Sequence, residues 1–389
     1  MQLIQALLLV IAGIFAILLL SFLSFETESK STYTAPKIPL APVEIASILP
    51  EIEEELPVPL NEPAARDAEP ASVPSTLIAK LMPTAPIQTK SEVADIPPSP
   101  AFSFSEINIA TRSALVNILC STSAASPING ESGSGVFVNN QGVILTNAHI
   151  AQYYLLKNYP SEGGVECTIR TGSPAAPRYR AALLYLSPDW IEANANTLTK
   201  ENPMGTGEHD FALLLVTGRT NEEETLPSSF PFLPLAEAES EPEINTETLI
   251  AAYPAEFLGS QHIEQSLFAA STIAAIKEIF TFDAVSQLSK DLVSFSGNAL
   301  TMKGSSGGPV VVQDGTIAGM LVTSTAGATT GERSAYAITA GHIHRSFKTD
   351  TGSSLFELLA SKDLLVSAKS FENSVAPRLS DILIANLPK

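Results

Sequence analysis

The sequence from Ser105 to Ser346 predicts an all-β domain, and three observations support this fold class. Short apolar runs alternate with turn residues, which is typical of strands joined by tight connections. One pair of runs is separated by Asn-Asn-Gln-Gly, which predicts a hairpin. The number of runs suits barrels or a sandwich rather than a doubly wound sheet. The predicted strands are 114–120, 135–138, 143–146, 165–170, 182–186, 211–216, 248–252, 309–312, 317–323 and 334–338.

The chain opens with an apolar run, Leu3–Phe25, interrupted only by Gln5, Ser21 and Ser24. A run of about 20 apolar residues can span a bilayer as a helix. Because its start lacks basic residues and its apolar core is long, a transmembrane anchor over residues 1–25 is favoured over the alternative of a cleaved signal peptide. Acidic residues follow the run and few basic residues flank it, so we expect the bulk of the chain to lie outside the cytoplasm.

Three further regions follow the apolar run. Residues 26–104 are rich in proline and acid, which predicts a disordered, semi-rigid linker that holds the next domain away from the membrane. Residues 105–346 have the length of one globular domain of roughly 240 residues. Residues 347–389 form a C-terminal tail with helical spacing from Ser354 to Leu387, which we expect to pack on the domain rather than dock elsewhere.

Composition argues against some classes of function. The formal net charge is −19 and no basic patch stands out, which argues against nucleic-acid binding and favours a solvated acidic surface. The two cysteines, Cys120 and Cys167, are too few for a zinc site without histidine partners at ligand spacing. They are therefore either buried thiols or one disulfide, and a location outside the cytoplasm would permit the disulfide.

Two polar residues at strand ends are candidate catalytic groups. His149, in LTNAHI, follows a predicted strand, where a short turn can present an imidazole at a cleft. Asp210, in GEHDFALLL, begins an apolar strand, where a buried carboxylate can accept the Nδ1 proton of a histidine and stabilise the imidazolium. Taken alone, a histidine such as His149 is more often structural, and Asp210 is as easily explained as a turn residue.

The stretch KGSSGGPVV, residues 303–311, places two adjacent serines among glycines. Glycines at 304, 307 and 308 allow backbone conformations closed to other residues, so the amides of Gly304 and Ser306 can point at one spot as an oxyanion hole. The stretch also satisfies G-x-S-x-G, the nucleophile elbow of α/β-hydrolases. That elbow leads into a helix and requires the acid and the histidine after the serine. Here the stretch leads into a strand and the order is His, Asp, Ser, so the elbow is not favoured.

Together, TNAHI, HDFALLLV and GSSGGPVV resemble the three signature blocks of chymotrypsin-fold (trypsin-like) serine proteases, and GSGVFVNNQGVILTNAHI is most similar to the bacterial HtrA/Deg-type branch. The resemblance covers roughly Ser105 to His344 and implies two six-stranded antiparallel β-barrels with the active site in the cleft between them. It implies that His149 is the general base, Asp210 its orienting carboxylate and Ser306 the nucleophile. It also implies that Gly304 and Ser306 supply the oxyanion-hole donors.

The sequence departs from that family in three respects. Ser305 stands where chymotrypsin relatives carry an aspartate that pairs with a new N-terminus after zymogen cleavage, and where Deg-type enzymes usually carry an asparagine. No Ile-Val-Gly-Gly start is present either, so we do not expect activation by that salt bridge. Only about fifty residues follow Ser334, which is too short for a PDZ domain, so none is expected.

The resemblance places the substrate pocket at Leu300, on the strand that carries Thr323, Ser324 and Thr325, and near Tyr336. None of these residues is a carboxylate, so a preference for lysine or arginine is disfavoured. We expect cleavage after small or medium apolar residues. The resemblance implies neither a metal ion nor an organic cofactor.

Two pairs of residues remain to be assigned. If the strands of Cys120 and Cys167 are neighbours in the N-terminal barrel that the resemblance implies, a disulfide can close that barrel. His342 and His344, in GHIHR, have the spacing of residues on one side of a strand. Because no cysteine or acid cluster lies nearby, we expect surface histidines rather than metal ligands.

The sequence therefore predicts a single-pass membrane serine endopeptidase whose protease domain lies in a bacterial-type periplasm or at the cell surface. It would act on protein or peptide substrates through a His-Asp-Ser triad and an acyl-enzyme. Two alternatives stay open. One is a non-catalytic binding protein that keeps the protease fold, and the other is an esterase that uses the same triad.

Overall fold

The computed structural model describes residues 101–123, 126–200, 206–240, 242–256, 258–283, 288–297, 300–325 and 333–387. The predicted membrane anchor and nearly all of the predicted linker lie outside these ranges. Among the helices found within them, none has both the length and the hydropathy that a membrane crossing requires.

Strands within the described ranges form two closed six-stranded antiparallel barrels, as predicted for the fold class. The first barrel has the strand order β1-β2-β3-β6-β5-β4 and the second has the order β10-β11-β12-β9-β8-β7. The first six strands are β1 (Leu115–Thr122), β2 (Glu131–Phe137), β3 (Val143–Thr146), β4 (Val165–Thr171), β5 (Ala176–Leu186) and β6 (Ala212–Arg219). The other six are β7 (Glu247–Ala252), β8 (Ala270–Phe280), β9 (Leu292–Ser296), β10 (Pro309–Val311), β11 (Ile317–Ser324) and β12 (Ser334–Thr339).

Short helices surround the barrels and close the chain. They are α1 (Phe104–Ala114), α2 (Ala148–Ala151), α3 (Pro188–Asn194), α4 (Ser260–Gln265), α5 (Ala340–Thr351), α6 (Leu355–Ala360), α7 (Leu364–Ser374) and α8 (Ala376–Ala385), with 3₁₀ turns at Gln152–Leu156 and Ala195–Thr197. Helix α1 was not predicted from the sequence. Its start is defined by a capping box in which the Ser103 hydroxyl accepts the Glu106 amide and the Glu106 carboxylate accepts the Ser103 amide.

The β2–β3 hairpin forms at the predicted Asn-Asn-Gln-Gly turn. The Asn139 Oδ1 atom accepts hydrogen bonds from the amides of Gln141 (3.1 Å) and Val143 (3.0 Å), so one side chain organises the turn. Gly142 has a φ of +90°, in the region that favours glycine. The hairpin brings β3 next to β6, where Thr146 at the end of β3 lies opposite Ala212.

The C-terminal helices pack on the first barrel. Helix α7 lies against β5, and α8 lies against α3 and the 3₁₀ turn at Gln152–Leu156. The apolar side chains of Leu364, Leu379 and Leu383 are buried in the same hydrophobic cluster as the barrel residues. The helical spacing of the tail is thus an amphipathic pattern whose apolar side covers the first barrel.

Strands β1 and β4 are neighbours, and Cys120 lies directly opposite Cys167 in their register. Their Cα atoms are 4.0 Å apart and the two residues are joined as a disulfide. The disulfide joins β1 to β4, which are the first and last strands in the order of the barrel and whose pairing closes it.

Candidate active site

His149 and Asp210 form a hydrogen-bonded pair at the edge of the first barrel. His149 lies on α2, directly after β3, and Asp210 directly precedes β6. The Nδ1–H group of His149 donates to Oδ2 of Asp210 at 2.8 Å, and its backbone N–H donates to Oδ1 at 3.0 Å. Because β3 and β6 are adjacent strands, the two residues that sequence analysis selected separately are brought together by the barrel.

A tight turn and a neighbouring amide hold the Asp210 backbone. In the turn, the Asp210 N–H donates to the Gly207 carbonyl at 3.1 Å, and Gly207 has a φ of +85°. A Cβ atom at Gly207 would lie 2.9 Å from Val322 Cγ2, so a side chain at 207 would be excluded by contact as well as by conformation. The Asn147 Nδ2 atom donates to the Asp210 carbonyl at 2.8 Å. The carboxylate is therefore fixed from the backbone side and is nearly fully buried.

Electrostatics favour the protonated form of His149. Burial opposes the charge, but the negative charge of Asp210, its hydrogen bond and the charge of Glu131 outweigh burial and raise the pKa of His149 above its ordinary value. A general base must accept the proton of the nucleophile and hold it during the reaction. The buried carboxylate of Asp210 stabilises the protonated imidazole, so His149 has this property.

The serine loop approaches this pair from the second barrel. Gly304 and Gly307 have φ values of +89° and +85°. A Cβ atom at Gly307 would lie 1.9 Å from the Ser134 carbonyl oxygen, so the loop and β2 approach each other too closely for any side chain there. Ser306 is half-buried and lines the same cleft as His149, although within the described residues their side chains make no hydrogen bond. Such contacts often become shorter only when substrate is bound.

Ser305 differs from Ser306 in its surroundings. Ser305 is 2% exposed, and its hydroxyl makes no hydrogen bond with any residue that the structure describes. Both backbone groups of Ser305 make hydrogen bonds. The N–H donates to the Met302 carbonyl at 3.1 Å, and the carbonyl accepts from the Gly308 N–H at 3.0 Å. Ser305 is therefore a buried residue of the loop, whereas Ser306 is the serine that reaches solvent in the cleft.

The amides of Gly304 and Ser306 are available as donors. Among the described residues neither N–H group donates a hydrogen bond, whereas the intervening Ser305 and the following Gly307 both do. Two N–H donors one residue apart, without internal acceptors and with one of them on a half-exposed serine, are an arrangement that can stabilise an oxyanion.

The cleft that contains these groups has a volume of about 1150 Å³. Of the residues predicted for the substrate pocket, Leu300, Ser324 and Thr325 line it. Tyr336 is not among the described residues that line it, because side chains alternate along β12 and place Ala335 on the cleft. The Tyr336 ring packs instead near Phe280, with ring centroids 6.0 Å apart. The backbone of Thr323 belongs to β11, opposite Tyr336 in the register.

Two residues of β2, Glu131 and Ser134, contact the site and were not predicted from the sequence. Glu131 lines the cleft close enough to raise the pKa of His149, and no local motif distinguishes it. Burial raises the pKa of Glu131, against the opposing charges of His149 and Lys303. Ser134 contacts the serine loop directly. The flanking glycines gave no signal for this contact, because a Cβ atom at Gly133 or Gly135 would meet Ile150 or Ile144 rather than the serine loop.

A buried arginine ties one wall of the cleft to the first barrel. Arg170, on β4, donates to Oδ1 of Asn117 at 3.1 Å, to the Ala175 carbonyl at 2.7 Å, and to the carbonyls of Ile263 (2.8 Å) and Glu264 (2.7 Å). The last two are in α4, and Ile263 lines the cleft. Because Arg170 is 1% exposed, these bonds fix the position of α4.

The expectation that His342 and His344 are surface residues of a strand is wrong. Both lie in the first half of α5 and are 6% exposed. The His342 Nδ1 atom lies 3.2 Å from Asp291 Oδ1, and the His344 Nε2 atom lies 3.0 Å from the Ala236 carbonyl. The strand β12 ends at Thr339, whose hydroxyl caps α5, so the segment changes from strand to helix before the histidines. Where the structure describes side chains, no group of three or more potential ligands is arranged to hold a metal ion.

Part of the chain is similar to known proteins. Residues 133–320 match the family model described as "Trypsin-like peptidase domain". No curated protein sequence matches the chain. Among solved structures, the active form of the Rv3671c protease from M. tuberculosis is 17% identical, with 71% of this chain and 96% of that chain covered and a TM-score of 0.37. The inactive form is 16% identical, with 65% and 98% covered and the same TM-score of 0.37.

Proposed function

We propose that the chain is a trypsin-like serine endopeptidase that cleaves peptide bonds through His149, Asp210 and Ser306, and the match of residues 133–320 to the trypsin-like peptidase model supports this. In this proposal Ser306 Oγ attacks the carbonyl carbon while His149 Nε2 takes its proton, and Asp210 holds the imidazole and stabilises the imidazolium. The amides of Gly304 and Ser306 bind the oxyanion that develops. The imidazolium then gives its proton to the leaving amine as the C–N bond breaks and the acyl-enzyme forms, and the neutral histidine activates the water that hydrolyses the acyl-enzyme.

The observation that carries this assignment is the double contact between His149 and Asp210. The carboxylate binds both Nδ1–H at 2.8 Å and the backbone N–H at 3.0 Å, so the ring orientation is fixed and Nε2 is left for the cleft. A purely structural role for His149 would not account for the half-exposed serine and the two unbonded amides that lie in the same cleft. The arrangement therefore supports catalysis rather than a purely structural pair.

Labelling with a fluorophosphonate probe tests the assignment. The probe reacts with a serine activated by a histidine, so we expect the wild-type full-length chain to be labelled and Ser306→Ala to be unlabelled. Ser305→Ala is the matched control, because it removes the adjacent hydroxyl, and it should keep its label. Labelling of Ser306→Ala, or loss of the label only in Ser305→Ala, would show that Ser306 is not the nucleophile.

Labelling alone does not separate a peptidase from an esterase or a non-catalytic binding protein. A denatured protein substrate such as casein and a short-chain ester are therefore compared with the wild type and Ser306→Ala. Cleavage of casein that is lost in Ser306→Ala supports the peptidase. Hydrolysis of the ester without cleavage of any peptide supports the esterase, and absence of both activities and of labelling supports the binding protein.

We also propose that residues 1–25 anchor the chain in a membrane with the protease domain outside the cytoplasm. The length of the apolar run supports the anchor, and the Cys120–Cys167 disulfide is consistent with an oxidising compartment. Placing Arg at Ile14 and Leu18 interrupts the run, so the variant should leave the membrane fraction under alkaline carbonate extraction while the wild type stays. Release of both proteins alike would argue against the anchor.

A further inference from the structure

Ser134, a fully buried residue of β2, connects the first barrel to the serine loop. Its hydroxyl donates a hydrogen bond to the carbonyl of Gly304 at 2.7 Å, and it accepts one from the N–H of Tyr253 at 2.9 Å. Its own N–H donates to the carbonyl of Ser306 at 2.8 Å. One residue of the first barrel therefore binds the carbonyls on both sides of Ser305.

The Gly304–Ser305 peptide requires such a contact. Gly304 has a φ of +89° and no Cβ atom, so nothing in its own side chain restrains rotation of the peptide that follows it. If this peptide rotated, its carbonyl oxygen would move away from Ser134 and the angle between the flanking amides of Gly304 and Ser306 would change. Those two amides are the proposed donors to the oxyanion, and their strength depends on both pointing at one spot.

No second donor replaces the hydroxyl. Among the described residues, the carbonyl of Gly304 accepts a hydrogen bond only from Ser134, and the N–H of Tyr253 donates only to Ser134. The contact is further held by Thr146, whose hydroxyl donates to the Ser134 carbonyl at 2.8 Å from the strand that leads to His149. The N–H end of this peptide is held by the Met302 carbonyl at 3.1 Å, and among the described residues its carbonyl end is held by the Ser134 hydroxyl alone.

We propose that Ser134 is a positioning residue for the oxyanion hole: its hydroxyl holds the Gly304 carbonyl and so aims the amides of Gly304 and Ser306 at the oxyanion. The inference rests on the proposed function of Ser306. Removal of the hydroxyl releases the carbonyl end of the peptide and leaves the Gly304 carbonyl and the Tyr253 N–H without partners. The predicted effect is a loss of transition-state stabilisation at an unchanged affinity for the unreacted ligand.

The test measures fluorophosphonate labelling of the full-length chain by saturation kinetics. In Ser134→Ala we expect the maximal labelling rate to fall about 10- to 100-fold, somewhat less than the loss of a whole oxyanion donor, while the probe concentration for half-saturation stays the same. The pH midpoint that reports His149 should not move, since Ser134 does not contact the imidazole. Ser134→Thr keeps a hydroxyl and should restore most of the rate.

Thr248→Val is the matched control for a general loss of packing or stability. Thr248 is also fully buried, and its hydroxyl donates to the Ala274 carbonyl at 2.9 Å, away from the serine loop. We expect this variant to lower the thermal unfolding midpoint without lowering the labelling rate per folded molecule. If Ser134→Ala does not fold, Ser134→Cys is measured instead, because a thiol fills the site but is a weak donor.

The outcomes separate the two proposals. If wild type and Ser306→Ala are equally unlabelled, the proposed function fails. A second outcome is that the wild type is labelled at Ser306 while the labelling rate of Ser134→Ala, or of Ser134→Cys in its place, is within twofold of the wild-type rate. In that case the proposed function stands and the positioning role is wrong. An equal fall in Thr248→Val, or a fall in Ser134→Ala that Ser134→Thr does not restore, also overturns the positioning role.

Discussion

The carboxylate of Asp210 binds His149 twice, through the ring Nδ1–H at 2.8 Å and through the backbone N–H at 3.0 Å. A single bond would allow the ring to turn about the Asp210 oxygen, whereas two bonds from one residue fix both the backbone and the imidazole. The Nδ1 proton is held by the carboxylate, so the neutral ring presents Nε2 as its acceptor. The relationship between these two residues therefore determines which nitrogen can act as a base.

Replacing Asp210 with asparagine should reduce the reaction of Ser306 severely. The amide group favours the wrong tautomer of His149 and removes the charge that stabilises the imidazolium, so we expect fluorophosphonate labelling to be slower by at least about 100-fold, with about 10⁴-fold as the upper range. Asp189→Asn is the control, because Asp189 lines the same cleft on α3 without contacting His149. A labelling rate in Asp210→Asn equal to that of the control would contradict the role of Asp210.

The labelling rate should rise with pH through the pKa of His149. The group is active as a base only when neutral, and its pKa is raised above the ordinary value, so the midpoint should lie above that of a free histidine, about 6.5. Glu131→Gln removes a negative charge that raises this pKa, so the midpoint should move to lower pH. The exposed Glu166, on β4, provides the control Glu166→Gln, which should leave the midpoint in place. A midpoint that moves upward in Glu131→Gln would refute the prediction.

Asp291 should contribute to stability at neutral pH. It is 3% exposed and binds Arg345 Nη2 at 2.7 Å, Ser289 Oγ at 2.6 Å and the Phe282 N–H at 2.9 Å. Burial raises the pKa of Asp291, but hydrogen bonds from His342, Ser289, Arg345 and the Phe282 amide outweigh burial and lower it. Asp291→Asn should therefore reduce the free energy of unfolding at pH 7 by about 3 kcal/mol, measured by urea denaturation.

The pH dependence of that difference follows from the sign of the pKa shift. A depressed carboxyl pKa stabilises the fold above the unfolded value, about 3.9, and this contribution is lost as pH falls through the folded value. The difference in the free energy of unfolding between the wild type and Asp291→Asn should therefore become smaller in acid. Asp381→Asn, at an exposed position of α8, is the control and should be close to the wild type throughout. A gap that stays constant from pH 7 into acid would exclude an ionised Asp291 as its source.

The sequence predicted those parts of the fold whose local patterns are strong. The runs that became β3, β4, β10, β11 and β12 are short, and their bounds were predicted to within one or two residues. Strand β8 was missed because ASTIAAIKEIF contains alanine, lysine and glutamate, which are depleted in strands, and because most of its side chains are exposed or half-buried. Such a strand is fixed by its pairing with β7 and β9 rather than by its own sequence.

The candidate site likewise contains residues that local sequence patterns indicate and residues that they do not. His149, Asp210 and Ser306 stand in local contexts that can be interpreted one at a time, and the barrels bring the first two into contact. Ser134 and Glu131 act through contacts across the fold, at sequence separations of 170 residues from Gly304 and of 18 residues from His149 (149 − 131). A motif can indicate that backbone segments approach closely, but it does not indicate which carbonyl a buried hydroxyl will bind.

The disulfide between Cys120 and Cys167 should stabilise the first barrel mainly through the unfolded chain. The two residues are separated by 47 positions, and the loop-entropy relation gives about 4 kcal/mol for a loop of that length. We expect the oxidised wild type to unfold at a higher urea concentration than the reduced wild type, a comparison that keeps both side chains. Cys120→Ala combined with Cys167→Ala should resemble the reduced protein and should no longer respond to reductant. Equal stability of the oxidised and reduced wild type would mean that the strand pairing of β1 and β4 already restrains the chain without the bond.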